Sequence, residues 1–243
     1  MFFQSLASSS KGNCYILSDG LSVLVIEAGI PINFIREAVD LPHISGVIIT
    51  HEHKDHSKYV KDLLPYSKVY ASKGTLENIN IEKTYKTAEV TPGEPFTINT
   101  FIITGFLAQH DATEPLYYYI YSKATKETFL FATDTFYIRN RFKRLDYIAI
   151  ECNYQKEILQ SNIENGKLSP VIARRLLRSH FELSNVLDFL KANSLKETKQ
   201  IYLLHLSDGN SNEELFKTLV EKATGIPTEV CPKSTRKDYK LYG

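Results

Sequence analysis

The chain has 243 residues, of which 43% are apolar, and a formal net charge of +1. This is enough for one sizeable core, and no linker-like stretch divides it, so we predict a single domain over residues 1–243. The near-neutral charge excludes a global field that would draw the protein to nucleic acid or to an acidic membrane. Three widely spaced cysteines argue against a disulfide framework and favour a reducing cytoplasm. Without an apolar run of bilayer length, no membrane partner is expected.

The first ninety residues alternate short β-branched or aromatic runs with helical patterns. The predicted strands are 2–6, 14–17, 23–26, 47–50 and 69–72, and the predicted helices are 31–39 and 58–64.

The middle of the chain is rich in strands, and the last ninety residues are mostly helical. Here the predicted strands are 96–108, 116–122, 128–132, 147–151, 201–204 and 228–231, and the predicted helices are 170–179, 184–193 and 212–222. Two strand-rich blocks with interleaved helices predict the α/β class, with two mixed β-sheets packed face to face and helices outside.

The six residues from His51 to His56, with sequence HEHKDH, directly follow a predicted strand. Three imidazoles and the Asp55 carboxylate at a strand end predict a metal site. His110, Asp134 and His205 each follow another predicted strand. Strand ends at one rim of a sheet sandwich would let these distant residues converge. Imidazole and carboxylate ligands suit zinc, and also manganese or iron.

The order HxHxDH, then His, Asp and His, resembles the metallo-β-lactamase superfamily along essentially the whole chain. The resemblance implies an αββα sandwich and two divalent metal ions, Zn or Mn. One ion would be held by His51, His53 and His110, the other by Asp55, His56 and His205, and Asp134 would bridge them. A bridging hydroxide would be the nucleophile.

Residues 5–15, SLASSSKGNCY, resemble the start of the YycJ/WalJ-like branch of this superfamily. Residues 131–135 and 203–211 are most similar to metallo-β-lactamase-like proteins of Gram-positive phages and prophages. Many relatives carry Asp where this chain has Glu27, which we expect to orient a ligand histidine. Relatives are often dimers, so a homodimer is one assembly to test.

His180 lies between Asp134 and His205, where ribonuclease Z-like members carry an additional active-site histidine. We predict that His180 is the general acid for a leaving alkoxide, and that Asp55 is the second catalytic residue. An exposed histidine at a helix end is the alternative for His180.

Three arginines, Arg174, Arg175 and Arg178, precede His180 on a predicted helix. Arg174 and Arg178 are candidates for binding phosphate, and a solvated helix face is the alternative. Gly12 and Asn13 end a polar loop whose backbone N–H groups could also bind an anion.

These residues favour a binuclear phosphodiesterase or nuclease acting on DNA or RNA, in the bacterial cytoplasm or a phage-infected host cell. A hydrolase of a cyclic nucleotide, a thioester or a lactone is the first alternative, because substrate choice depends on loops rather than ligands. A non-catalytic, metal-stabilised binding protein is the second.

Overall fold

The computed structural model describes residues 1–234, so the end of the predicted domain, residues 235–243, lies outside the described residues. The chain divides into two compact units. The first contains Met1–Leu107, Ala112–Glu127 and the described residues 232–234. The second contains Ala108–Asp111 and Thr128–Cys231. The prediction of one domain over 1–243 stays a prediction.

The strands form two mixed β-sheets, as predicted. The first sheet has six strands and lies in the first unit; β1 to β3 pair antiparallel, and β3 to β6 pair parallel. Its strands are β1 (Phe2–Ser9), β2 (Gly12–Ser18), β3 (Val23–Ile26), β4 (Gly46–Ile48), β5 (Val69–Ala71) and β6 (Thr87–Glu89).

The second sheet has seven strands. Its antiparallel strands belong to the first unit and are β7 (Pro95–Ile98), β8 (Phe101–Leu107) and β9 (Leu116–Ser122). Its parallel strands belong to the second unit and are β10 (Thr128–Ala132), β11 (Tyr147–Glu151), β12 (Gln200–Leu204) and β13 (Thr228–Val230).

Helices connect most of the parallel strands, as is usual for parallel pairing, while residues 133–146 join β10 to β11 without a helix. The first unit contains α1 (Ile32–Ala38), α2 (Lys54–Ser57), α3 (Val60–Leu63) and α4 (Lys73–Asn78), with a 3-10 turn at Leu41–His43. The second unit contains α5 (Lys156–Glu164), α6 (Pro170–Ser179), α7 (Leu183–Lys191) and α8 (Glu213–Thr224). Among the helices of residues 1–234, none has both the length and the apolar character needed to span a bilayer.

The parallel strands β10 and β11 are buried almost throughout. Every residue of β10 is buried, and so is every residue of β11 after Tyr147. Continuous apolar runs of this kind are typical of parallel strands covered on both faces. In the first unit, the core lies under β2 to β5 and includes Ile35 of α1 and Leu63 of α3.

Three sequence-based expectations are corrected by the structure. The predicted strand 96–108 is two strands, because Asn99 takes a left-handed φ of 48° and turns the chain between β7 and β8. The helix expected at 58–64 begins earlier, at Lys54, and is interrupted before Val60. Strand β6 was missed, because Thr87–Glu89 is too short and too polar to give a periodic signal.

Candidate metal centre

The histidine motif of the first unit spans a strand end and the first turn of a helix. His51 follows β4 by three residues, and Asp55 and His56 lie on α2. The ring centroids of His51 and His53 are 4.7 Å apart, and those of His51 and His56 are 4.2 Å apart. His51 and His56 are buried, at 1% and 0% exposure. The turn from strand to helix therefore gathers all three imidazoles of the motif.

Glu27 determines which nitrogen of His51 carries a proton. Its fully buried carboxylate accepts a hydrogen bond from Thr50 Oγ1 at 2.5 Å. Thr50 Oγ1 has then given its proton to Glu27, so it accepts from Nδ1 of His51, 2.9 Å away. Nε2 of His51 is left as the nitrogen with the lone pair that a metal needs. Burial raises the pKa of Glu27, while the nearby His56 lowers it in part.

His56 is held by the same carboxylate and by Asn13. Its Nδ1 lies 3.5 Å from Glu27 Oε1, and its Nε2 accepts from Asn13 Nδ2 at 3.0 Å. The Asn13 amide also lies 3.3 Å from Oδ2 of Asp55. Asn13 therefore orients two of the predicted ligands with one side chain.

The prediction that Gly12 and Asn13 end a polar loop is wrong. Both residues lie in β2, where they pair with Ser9 and Ser8 of β1. A Cβ at Gly12 would lie 2.8 Å from the Gly29 carbonyl oxygen, so the glycine permits close packing there. Binding of phosphate by this pair stays a prediction, and the geometry instead directs the Asn13 amide to Asp55 and His56.

Gly29 brings the segment after β3 against helix α2. A Cβ at Gly29 would lie 1.7 Å from the carbonyl oxygen of Asp55, which no real structure tolerates. The neighbouring Ala28 N–H donates to the carbonyl of His56 at 2.7 Å, and Gly29 N–H donates to Asn13 at 2.9 Å. These backbone contacts fix the position of α2, and with it the ligands that α2 carries.

In the second unit, candidate ligands lie where parallel strands end at one edge. Asp134 follows β10, Glu151 ends β11, and His205 follows β12. The strand register pairs Ala132 with Ile150 and Glu151 with Leu204, so the three side chains emerge side by side. One donor atom each of Asp134, Glu151, His180 and His205 lies within 4.8 Å of the others.

Three residues at the candidate metal centre have backbone angles that non-glycine residues rarely adopt. Glu27, Asp134 and His205 have φ of 66°, 47° and 52°. A left-handed conformation at a non-glycine residue costs about 1 kcal/mol or more, and such residues concentrate at functional sites. The strain turns the chain sharply at the strand ends, where these side chains are needed.

Glu151 is the functional residue that sequence reasoning missed. Its buried carboxylate accepts from His180 Nδ1 at 2.6 Å and lies 3.3 Å from His205 Nδ1. The other oxygen accepts from the backbone N–H groups of Thr135 and Phe181. The available signal was a carboxylate that ends a buried strand, in the same position as Asp134 and His205 on the neighbouring strands.

His180 is the residue at which helix α6 ends. The helix begins with Ser169, whose side chain accepts from Ile172 N–H, and Pro170 occupies its first turn. It ends because His180 is extended, and the ring then lies 5.5 Å from that of His205 and 5.6 Å from that of His110. The predicted general acid is thus placed among candidate ligands, with Nδ1–H directed to Glu151.

Glu151 and His180 shift each other's pKa in opposite directions. Burial raises the pKa of Glu151, but the charge and hydrogen bond of His180 outweigh it and leave that pKa below its usual value. Burial lowers the pKa of His180, but Glu151 outweighs it and leaves the pKa of this imidazole above its usual value. Both shifts favour the protonated form of His180, which is the form that has a proton to give.

His110 is oriented by a backbone carbonyl. Its Nδ1–H donates to the Ser179 carbonyl at 2.9 Å, and its Nε2 lies 3.6 Å from Asp134 Oδ2 and 3.3 Å from Asp111 Oδ1. Burial lowers the pKa of His110, although Asp134 opposes the shift. The lowered pKa favours the neutral imidazole, and the hydrogen bond from Nδ1–H to Ser179 leaves Nε2 as the nitrogen that could offer a lone pair to a metal.

The donor set fits divalent metal ions. Metal-binding histidines usually donate their second N–H to a carboxylate or a carbonyl, which fixes the tautomer. His56, His110 and His205 have such an oxygen beside Nδ1, from Glu27, Ser179 and Glu151 respectively. His51 reaches Glu27 through Thr50. Each cluster thus contains imidazoles that can offer a lone pair, together with a carboxylate, and zinc and manganese accept such ligands.

The predicted phosphate-binding arginines lie on α6 in the second unit, where Arg174 and Arg178 are both exposed. Arg175 donates from Nε to Asp111 Oδ2 at 2.8 Å, beside His110. Arg175 and Arg178 line a cavity with His110, and Arg174 is not part of that lining.

Fold and ligand pattern together define a class. The family described as the beta-lactamase superfamily domain matches residues 30–205, so the chain belongs to this family. The solved metallo-beta-lactamase fold protein YhfI of Bacillus subtilis superposes with a TM-score of 0.73 at 13% identity, over 96% of both chains. The predicted family and fold class are confirmed.

Two curated relatives are similar along most of their length. The "Exodeoxyribonuclease YycJ" of Bacillus anthracis is 29% identical, with 93% of this chain and 92% of the relative aligned. The "Exodeoxyribonuclease WalJ" of Streptococcus pneumoniae serotype 2 is 28% identical, with 88% and 84% aligned. Both carry the branch name that residues 5–15 suggested.

Proposed function

We propose that this chain is a metal-dependent phosphodiesterase that cleaves DNA or RNA. The observation that carries this proposal is the placement of His180. A proton-bearing imidazole, held by Glu151 at 2.6 Å, lies in the same 4.8 Å cluster as Asp134 and His205. Phosphodiester cleavage needs both a metal-binding donor set and a proton for the leaving oxygen. The names of the two curated relatives support the same substrate class.

Seven residues would hold two divalent ions, as the superfamily resemblance implies. These are His51, His53, Asp55, His56, His110, Asp134 and His205. When bound, such ions activate water and withdraw charge from a phosphate group. The tautomers set by Glu27, Thr50 and Ser179 support this role, because they leave ring nitrogens with lone pairs. Zinc and manganese are both consistent with the donors.

The protein's own part in the reaction is orientation and proton transfer. Glu151 fixes the ring of His180 through Nδ1, so Nε2 is the atom that would donate to the leaving oxygen. Thr135 and Phe181 hold the second oxygen of Glu151, which keeps the carboxylate from rotating. Asp55, whose Oδ2 lies 3.3 Å from the Asn13 amide, would act as a metal ligand.

A small phosphodiester or another small molecule is the second candidate substrate. The net charge of +1 favours it, since proteins that hold long polyanions usually carry a stronger positive field. Cytoplasmic location, a phage origin and a homodimer stay predictions.

The test is cleavage of labelled single- and double-stranded DNA and RNA oligonucleotides, with Mn²⁺ or Zn²⁺, by wild type and Asp134→Asn. We expect metal-dependent products from wild type and at least a hundredfold less from the variant. Asp188→Asn, which changes an exposed aspartate on α7, is the matched control and should cleave normally. Turnover of a thioester or lactone without cleavage of any oligonucleotide would reject the nuclease proposal.

A further inference from the structure

A cavity of about 350 Å³ lies beside His110 in the second unit. Its wall includes Phe136, Arg175 and Arg178. The volume falls within the range of small-ligand sites, about 300–1,000 Å³. A site of this size accommodates one nucleotide-sized group and not a folded polymer.

Phe136 is a fixed part of the cavity wall. Its backbone N–H donates to the Gln109 carbonyl at 3.2 Å, and the Gln109 N–H donates to Thr135 Oγ1 at 2.9 Å. These two hydrogen bonds tie the segment after Asp134 to the segment that carries His110. The aromatic ring is therefore placed next to the candidate metal ligands by the backbone itself.

The two arginines give the cavity an excess of positive charge. Arg175 and Arg178 are three residues apart on α6, so they project from the same side of the helix. Arg175 is paired with Asp111 at 2.8 Å. Within residues 1–234, Arg178 has no such carboxylate partner. Two guanidinium groups thus face one carboxylate, and the second guanidinium can bind an anion.

We propose that this cavity binds one nucleotide of the substrate, with its base against Phe136 and its phosphate against Arg178. The inference rests on the proposed function and adds that the enzyme recognises a nucleoside phosphate, not only a phosphodiester. Aromatic rings stack on any base, and guanidinium groups offer a fork of donors to phosphate oxygens. Neither contact distinguishes one base from another, as is expected of an enzyme that degrades nucleic acid of any sequence.

Equilibrium binding to the full chain, measured by isothermal titration calorimetry, tests the proposal. The probes are dAMP and deoxyribose 5-phosphate, which lacks the base, with AMP to compare the sugars. Stacking contributes about 1–3 kcal/mol per base, so we expect dAMP to bind about tenfold more tightly than deoxyribose 5-phosphate. Phe136→Leu should remove this difference, and Arg178→Gln should weaken both probes by a similar factor.

Two controls match these variants. Tyr137→Leu changes a neighbouring aromatic residue, 53% exposed, that is not part of the cavity wall, and Arg36→Gln changes an exposed arginine on α1. Both should bind dAMP as wild type does. Circular dichroism and thermal melting would verify that each variant is folded.

The outcomes separate this inference from the proposed function. Equal affinity of wild type for both probes, no dAMP binding at millimolar concentration, or a base preference that survives in Phe136→Leu would each overturn the cavity assignment. A chain that binds with the expected pattern but cleaves no oligonucleotide supports the cavity and rejects the nuclease. A chain that cleaves oligonucleotides but binds dAMP no more tightly than deoxyribose 5-phosphate supports the nuclease and rejects the cavity assignment.

Discussion

Glu151 Oε1 lies 2.6 Å from Nδ1 of His180, at the end of a buried parallel strand. The carboxylate is fully buried and saturated with hydrogen bonds, so it has little freedom to move. The pair therefore behaves as one unit: Glu151 determines the tautomer and direction of His180, which we propose as the group that contacts the substrate. This unit predicts a specific pattern of kinetic effects.

His180→Ala should lower kcat on oligonucleotides by about 10²- to 10⁴-fold, the usual contribution of a general acid. The same variant should cleave bis-(p-nitrophenyl) phosphate almost normally, because p-nitrophenolate leaves without needing a proton. Steady-state kinetics on both substrates check this. Equal losses on the two substrates would show that His180 has another role.

Glu151→Gln should lower oligonucleotide kcat through His180, so its effect should be non-additive with His180→Ala. When two residues act as a unit, removing the second after the first causes little further loss of rate. The double variant should be no slower than the slower single variant by more than a few-fold. Additive losses in a double-mutant cycle would contradict the coupling.

Gly29→Ala should disrupt the first-unit cluster, because the added Cβ would lie 1.7 Å from the Asp55 carbonyl oxygen. Overpacking of this kind typically costs about 1–3 kcal/mol or more of unfolding free energy. Urea unfolding and metal content together measure the effect. Gly209→Ala is the control, since no atom lies within 4 Å of a Cβ there. A stable Gly29→Ala protein with normal metal content would contradict the role given to this close approach.

Arg178→Gln should raise KM for oligonucleotides about tenfold, because the variant loses a charge-assisted hydrogen bond to the substrate phosphate. Arg174→Gln should raise it less, because Arg178 lines the cavity beside His110 and Arg174 does not. Michaelis–Menten measurements on both variants at one salt concentration compare them. A larger effect from Arg174→Gln would move the phosphate site away from this cavity.

Asp146 should contribute stability that is lost in acid. Burial raises the pKa of Asp146, but hydrogen bonds from Arg144 and Thr128 outweigh it and hold the pKa below its usual value. A depressed pKa stabilises the fold above the unfolded-state pKa, and the contribution disappears as pH falls through the folded-state value. Asp146→Asn should therefore lose about 1–3 kcal/mol at neutral pH.

The measurement for Asp146 is urea unfolding as a function of pH. The variant and wild type should converge as the pH falls through the lowered folded-state pKa of Asp146, because the wild-type carboxyl then becomes protonated. Asp188→Asn, at an exposed position, should follow wild type throughout. A constant difference between Asp146→Asn and wild type at all pH values would contradict the linkage.

The strands and the candidate ligands could be inferred because each depends on local sequence. Runs of aliphatic and aromatic residues predicted β10 to β12, and the residues that follow these runs include Asp134 and His205. The motif from His51 to His56 needed no tertiary information, since its spacing alone is that of a metal site.

The supporting residues could not be predicted, because their roles depend on contacts between distant segments. Glu151 reads as the last residue of an ordinary strand until the fold brings His180 against it, 29 positions later in the chain. The role of Asn13 also depends on a tertiary contact. Its amide lies beside Asp55 and His56 only because Gly29 allows α2 to approach. Chain reversals such as Asn99 and the short strand β6 also lack a periodic signal.

Metal content per chain tests the central claim most directly. Protein purified without chelator and reconstituted with Zn²⁺ or Mn²⁺ should contain two ions per chain by inductively coupled plasma mass spectrometry, and fewer in Asp134→Asn. A folded wild-type protein that holds at most one ion, with the same content in Asp134→Asn, would contradict the account and favour a metal-stabilised binding protein.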